Sequence, residues 1–277
     1  MKTVIGIDVG GSTTKICGIV TDNGKKRLID PLCVRAGDPI TSTYGAFGKF
    51  TDVNGIALSD IDKIMVTGVG ASHMKNDIYG LKCTTIEEFT GTGLGGLYLS
   101  ELSDALVISM GTGTAVVHAK DGEPMQYLGG TGVGGGTLIG LSKLLTNSDT
   151  IEHMVELAKD GDLSKIDLKI NDIIAPGKDA PLGRDTTAAN FGNVSDLATR
   201  EDIQAGIMNM VFETVAMVGV FAARSRNVKN VVLAGNLTTL PQCAKKFEQI
   251  NNMGYGVNFI IPEHAQFATV IGTALCG

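Results

Sequence analysis

The chain lacks most of the features that mark a common function class. Its 277 residues contain no block of Lys and Arg, and the net charge is −6, so a nucleic-acid groove has no electrostatic footprint. No stretch approaches the roughly 18–20 uninterrupted apolar residues of a membrane span. The best candidate, Val211–Ala223, carries Glu213 and reads as a buried helix. The apolar run within Met1–Gly10 is broken by Asp8; it is too short for a secretory signal and reads as a first strand. The five cysteines (Cys17, Cys33, Cys83, Cys243, Cys276) form no CxxC or CxH pair. That argues against structural zinc and iron–sulfur sites, and fits a reducing cytoplasm better than a disulfide framework. His73, His118, His153 and His264 share no ligand spacing. A Walker A loop is missing too, because Gly24–Lys25 is followed by Lys26.

What the chain has in quantity is glycine, 37 residues gathered at Gly6–Gly11, Gly91–Gly96, Gly111–Gly113 and Gly129–Gly136. The surroundings are not low-complexity, so these clusters are expected to be turns between regular elements. Strands are expected at Thr3–Asp8, Lys15–Thr21, Ile64–Val69, Asp104–Met110, Ala115–Ala119 and Asn230–Ala234. Helices are expected at Glu87–Leu102, Gly136–Leu145, Ile151–Lys159, Ile203–Arg224 and Gln266–Leu275. Strands alternating with helices predict an α/β architecture. The unit strand–glycine turn–strand occurs twice, at Gly6–Lys15 and Ser109–Val117, which predicts duplicated lobes over residues 1–103 and 104–277.

Two segments fit G-x-G-x-x-G, at Gly91, Gly93, Gly96 and at Gly130, Gly132, Gly135. Neither has the strand before it and the acid about twenty residues after it that a dinucleotide fingerprint needs. The other loops point to phosphate. In GIDVGGSTTK, glycine lets backbone N–H groups approach phosphate oxygens, and Ser12 and Thr13 add hydroxyl donors. Asp8 can hold Mg²⁺ directly or through water, and Lys15 follows one turn later; a plain hairpin turn is the alternative. MGTGTAV repeats this chemistry, with N–H and hydroxyl donors at Gly111, Thr112, Gly113 and Thr114. Two such hairpins facing each other would clamp one nucleotide. GGTGVGGGTLIGL runs into a helix whose N-terminal N–H groups would suit an anion, although close helix packing also accounts for the glycines. Phosphorylating a hydroxyl needs a carboxylate base. Glu87 and Glu88 are candidates, and as neighbours at a helix start at most one should enter a cleft.

Together these segments, with VTGVGASH, IEEF, DLKINDI, TTAANFGNV, NVVLAGN and FATVIGTAL in the same order across nearly the whole chain, resemble the type II pantothenate kinases of the acetate kinase/hexokinase/actin-like superfamily. The resemblance implies a two-lobed actin-like (ribonuclease H-like) ATPase fold with a central cleft holding ATP and Mg²⁺. It implies phosphorylation of the terminal hydroxyl of pantothenate in coenzyme A synthesis, by a homodimer whose contact would involve the apolar Ile203–Ala223 helix. The family's catalytic glutamate falls on Glu88. Its first phosphate loop falls on Asp8, Gly10, Gly11, Ser12 and Lys15, and its second on Gly111, Thr112 and Gly113. Its nucleotide-binding helix start falls on Gly134, Gly135, Gly136 and Thr137, and its nucleoside approach on Gly235 and Asn236.

Two positions depart from the family pattern, both in the acceptor pocket beside Thr112: Tyr127 where an arginine is usual, and Ala115 where a serine is common. Losing one charged hydrogen bond costs about 1.5–3 kcal/mol. The departures predict either a less acidic acceptor such as pantetheine or weak turnover of pantothenate. Three other readings remain: a sugar or N-acetylhexosamine kinase, which generally uses a catalytic aspartate; an iron–sulfur ATPase activator of acyl-CoA dehydratases, which needs clustered cysteines; and a nucleotide-binding regulator without catalysis.

Overall fold

The computed structural model describes residues 2–11, 13–22, 24–35, 37–73, 77–175, 178 and 183–277. Strand β1 (Thr3–Val9) buries Thr3, Ile5, Ile7 and Val9 on one face, and on the other Gly6 is buried against the backbone of Val270 and Ala274. A strand buried on both faces belongs in the middle of a covered sheet. It turns back into β2 (Thr13–Asp22), which pairs antiparallel with it and with β3 (Lys25–Arg35). β4 (Ile61–Thr67) and β5 (Cys83–Thr85) add in parallel on the other side, giving the order β3-β2-β1-β4-β5.

The second sheet repeats this plan. β6 (Asp104–Met110), β7 (Thr114–Lys120) and β8 (Gln126–Thr131) are antiparallel neighbours, and β11 (Asn230–Ala234) and β12 (Asn258–Ile260) follow in parallel, in the order β8-β7-β6-β11-β12. β6 therefore stands where β1 stands, and the β6–β7 turn where the β1–β2 turn stands.

Helix α1 (Pro39–Val53) lays Ala46, Phe47 and Phe50 on the first sheet. The second sheet's outer face carries α3 (Gly135–Thr146), α4 (Ile151–Lys159), α6 (Arg200–Arg226) and α7 (Pro241–Asn252). The short α5 (Ile170–Ile173) lies between β9 (Leu168–Lys169) and β10 (Thr187–Ala189), which pair in a small separate sheet. By length and hydropathy, α6 could cross a membrane. Its Ile207, Val211, Phe212, Val215, Ala216, Val220 and Ala223 are instead buried in the larger core, which accounts for its apolar character within the chain.

The two remaining helices exchange sides. α2 (Glu88–Ser100) comes from the first half but packs Leu97 against Val107, Ala119 and Val232 of the second sheet. α8 (Ala268–Leu275) ends the chain but packs Val270 and Ile271 against Cys17 and Ile19 of the first sheet. The strands thus divide at Ser103 and these helices do not. Where α2 and α8 cross, their backbones nearly touch: a Cβ on Gly95 would overlap the Ala268 carbonyl, and one on Gly272 would overlap that of Gly91. The Gly91–Gly96 cluster thus lies inside the helix expected over Glu87–Leu102 and is not a turn: Gly91 and Gly95 face α8, while Gly93 and Gly96 lie against Met125 and Val107.

Other expectations also shift. The strand expected at Ile64–Val69 runs from Ile61 to Thr67, and residues 69–73 form a short helical turn. Gly129 and Gly130 belong to β8 rather than to a loop. Edge strand β3, α1 and α7 were not anticipated. Pro31 in β3 sits at an edge irregularity, where the register with β2 shifts between Ile16 and Gly18, as a residue without an N–H must.

Gly95→Ala is expected to destabilise the protein by about 2–3 kcal/mol, because backbone is what the methyl meets. Gly140→Ala, in the exposed middle of α3 with open space around it, is expected to stabilise by about 0.5–1 kcal/mol. Urea unfolding of both variants checks the pair.

Candidate functional site

Asp8 and Lys15 are direct partners across the β1–β2 hairpin, so their side chains leave the sheet on the same face. The turn between them is closed by the Gly10 N–H donating to the Thr13 carbonyl, at 3.0 Å. In the other lobe the matching pair is Ser109 and Ala115. Both turns open onto one cavity of about 540 Å³ between the sheets. Asp8, Gly10, Gly11, Thr13 and Lys15 line one side; Gly111, Thr112, Gly113 and Ala115 line the other. Glu88, Tyr127, Gly235 and Asn236 line it as well, as expected. Ser12 lies outside the described residues.

The second turn is braced from behind. The N–H groups of Gly135 and Gly136, in the first turn of α3, donate to the carbonyls of Gly111 and Thr112, both at 2.8 Å. A trans peptide points its C=O and N–H in opposite directions, so the N–H groups of Thr112 and Gly113 face away from α3. The Thr114 hydroxyl donates to the Val133 carbonyl at 2.8 Å, and that of Thr137 to Gly132 at 2.9 Å. Gly134, Gly135, Gly136 and Thr137 do not line the cavity. Two donors of this helix start, the Gly135 and Gly136 N–H groups, shape the second turn. Gly235, at φ 92°, follows β11 beside that turn, where a Cβ would lie 2.5 Å from the Met110 carbonyl oxygen.

Glu88 is the first residue of α2, and the cap geometry of Glu87 turns the chain so that Glu88 faces the cavity while Glu87 does not line it. Three ionisable groups then share the cleft. Burial pushes Asp8 up to about 6, opposed by the Lys15 ammonium and reinforced by Glu88. Burial lowers Lys15, with Asp8 holding it up. Burial also raises Glu88, and Lys15 opposes that shift. Lys15 is only 7% exposed, and its Nζ donates to the Gln266 carbonyl at 2.7 Å, in the segment leading into α8. Thr114, expected in the second loop, lines the cavity too. Ser109, Gly68, Thr131 and Thr269 also line it and were not anticipated. Ser109 was legible by laying the second hairpin over the first, where it falls on Asp8.

A family model described as Fumble matches residues 4–259. The chain belongs to this family. A type II pantothenate kinase from Bacillus thuringiensis subsp. konkukian is 30% identical over 254 residues, covering 85% of this chain and 83% of that protein. Among solved structures, component A of (R)-2-hydroxyglutaryl-CoA dehydratase from Acidaminococcus fermentans superposes with a TM-score of 0.71 at 18% identity, covering 100% of this chain and 98% of that one. A ROK family glucokinase from Streptomyces griseus, in complex with glucose and AMPPNP, superposes at 0.60 with 11% identity, covering 99% of each chain. The superpositions and the two five-stranded sheets show the two-lobed actin-like α/β fold.

An acid whose folded value lies above its ordinary one stabilises the protein only when protonated, so ionised Asp8 destabilises the fold at neutral pH. Asp8→Asn is expected to raise stability by up to about 3 kcal/mol at pH 8, from a shift of 3.8 to about 6. The gain should shrink as pH falls through 6 and vanish near 4. Thermal unfolding of both forms across pH 4–8 measures it.

Proposed function

We propose that the protein is an ATP-dependent kinase acting in coenzyme A biosynthesis, phosphorylating the terminal hydroxyl of pantothenate or of a close analogue such as pantetheine. The observation that carries this reading is the shared cavity: two glycine turns from duplicated hairpins face one space, with a carboxylate from α2 at its edge. In this reading the N–H groups and hydroxyls of Gly10–Thr13 and Gly111–Gly113 hold the triphosphate, with Gly134–Thr137 supporting the second turn from outside the cavity. Gly235 and Asn236 border the nucleoside, while Thr112, Ala115 and Tyr127 border the acceptor.

Glu88 accepts the proton of the acceptor hydroxyl as its oxygen attacks the γ-phosphorus, and ADP leaves. A carboxylate whose proton affinity is raised by burial suits that role. Lys15 balances charge between the two acids. Asp8 is the residue that would hold Mg²⁺. A buried carboxylate that is costly to ionise is one a cation would relieve, and a single protein carboxylate is enough for a metal that keeps waters and phosphate oxygens as its other ligands. When bound, Mg²⁺ would neutralise phosphate charge.

A homodimer in the cytoplasm is proposed with this reading. The sugar kinase alternative draws on a fold likeness at 11% identity, which carries no substrate. The dehydratase-activator alternative needs converging cysteines, whereas Cys17 and Cys243 are buried in separate cores.

Glu88→Gln is expected to lower turnover by about 10²–10⁴-fold while the protein is still stabilised by ATP with Mg²⁺. Coupled ADP-release assays and thermal shift on the same preparation check the two halves. Unchanged turnover would remove Glu88 from the reaction.

A further inference from the structure

We infer that the ring stack of Phe89 on Tyr127 is the device that aims Glu88 across the cleft, both rings acting as positioning residues for the proton transfer. The inference rests on the kinase reading above and deepens the part that Glu88 plays in it.

Glu88 is the first residue of α2, where a helix has the fewest internal bonds to hold it. Its N-cap, Glu87, makes no side-chain capping bond. The Glu88 carboxyl takes no hydrogen bond from a described residue. The crossing with α8 fixes the helix from Gly91 onward, beyond the turn that carries the acid. That first turn has its own tie to the opposite lobe. Phe89, the residue following Glu88, stacks on Tyr127 of β8 with ring centroids 4.1 Å apart and planes within 9°.

The register of β8 shows how Tyr127 comes to be there. Val116 pairs with Gly129 and Val117 with Tyr127, so Leu128 is an extra residue in the strand. Partners across a ladder share a face of the sheet. Tyr127 therefore lies on the face of Val117 and Val107, the face that α2 covers with Gly96 and Leu97. Without the extra residue Tyr127 would stand opposite His118, whose own partner Leu106 belongs to the other core, beneath α6. Leu128 packs against that other core. A bulge of this kind re-aims a side chain, and here it delivers the ring to Phe89.

The two rings divide the work. Tyr127 lines the cavity and Phe89 does not, so a change at Phe89 reaches the reaction only through the turn that the stack holds. Tyr127 is also 51% exposed; filling a core is not what keeps its ring in place.

The test follows ADP release with pantothenate and with pantetheine. Phe89→Ala is expected to lower kcat about 10–100-fold, because a misplacement of about 1 Å is enough to do so. KM for ATP and for the acceptor should change by less than about twofold, as for an interaction needed only in the transition state. Phe89→Tyr keeps the ring and should keep the wild-type rate. Tyr127→Leu should lower kcat to a similar extent and also raise the acceptor KM. The double variant Phe89→Ala/Tyr127→Ala should lose no more kcat than Phe89→Ala, since either change removes the same stack. Urea unfolding of each variant allows turnover to be compared per folded molecule; a merely structural stack would lower the midpoint and leave kcat alone. Wild-type kcat in Phe89→Ala or, should that variant not fold, in Tyr127→Leu would overturn the inference and leave the kinase reading standing. An equal loss in Phe89→Tyr would overturn it as well. No ADP from the wild-type protein with either acceptor, and no thermal stabilisation by ATP with Mg²⁺, would overturn both.

Discussion

Everything in the cleft depends on how closely α2 and α8 can cross. Each helix is covalently tied to one lobe and packed on the sheet of the other, so their contact sets the distance between the two glycine turns. Gly91 and Gly95 on one side and Gly272 on the other let the backbones meet without intervening side chains. The hydroxyls of Thr92 and Thr269 meet at 2.9 Å in the same crossing, and Thr269 also lines the cavity. Glu88 begins one of these helices, so its position is fixed by the packing that holds the lobes together. Side chains of ordinary size at the crossing would push the helices apart and carry Glu88 away from the hairpins.

The cleft spends stability on chemistry. Two acids and a lysine are drawn partly out of water, and each is displaced from its ordinary ionisation by that burial. Buried charge is costly unless it is paired or meets a counter-ion, so the arrangement makes physical sense for a site that receives phosphates and a cation. The second lobe offers a corresponding hairpin, with a turn one residue shorter and neutral side chains, Ser109 and Ala115. Duplication has given one hairpin charge and left the other to hold by its backbone. The support for that second turn comes from behind, through the first N–H groups of α3.

The hairpins were the most legible part of the chain, because Asp-Val-Gly-Gly and Met-Gly-Thr-Gly each follow a strongly apolar run and glycine at those positions has few other uses. Glu88 could be ranked above Glu87 only through family resemblance; locally, two adjacent acids at a helix start are indistinguishable. Helix α1 was missed although Asp38 and Pro39 form a proper start, with Asp38 accepting from the Thr41 N–H. Its threonines, serine and glycines are weak helix formers, and burial of Ala46, Phe47 and Phe50 overrides them. At Gly91–Gly96 the sequence supports two readings, a turn and the helix over Glu87–Leu102, because glycine marks turns and close backbone contact alike; the structure has the helix, and the partner helix that explains the glycines is more than 170 residues away. For the same reason the glycines before α3 read as an anion site, while the carbonyls of Gly111 and Thr112 take two of the donors.

The central claim is that the two hairpin turns grip one nucleotide together. The most direct measurement is the backbone amide NMR spectrum during titration with Mg²⁺ and a non-hydrolysable ATP analogue. Amides of the first turn, such as Gly11, and of the second, such as Gly113, should shift together along one saturable curve. Shifts confined to a single turn, or two curves with different midpoints, would contradict it.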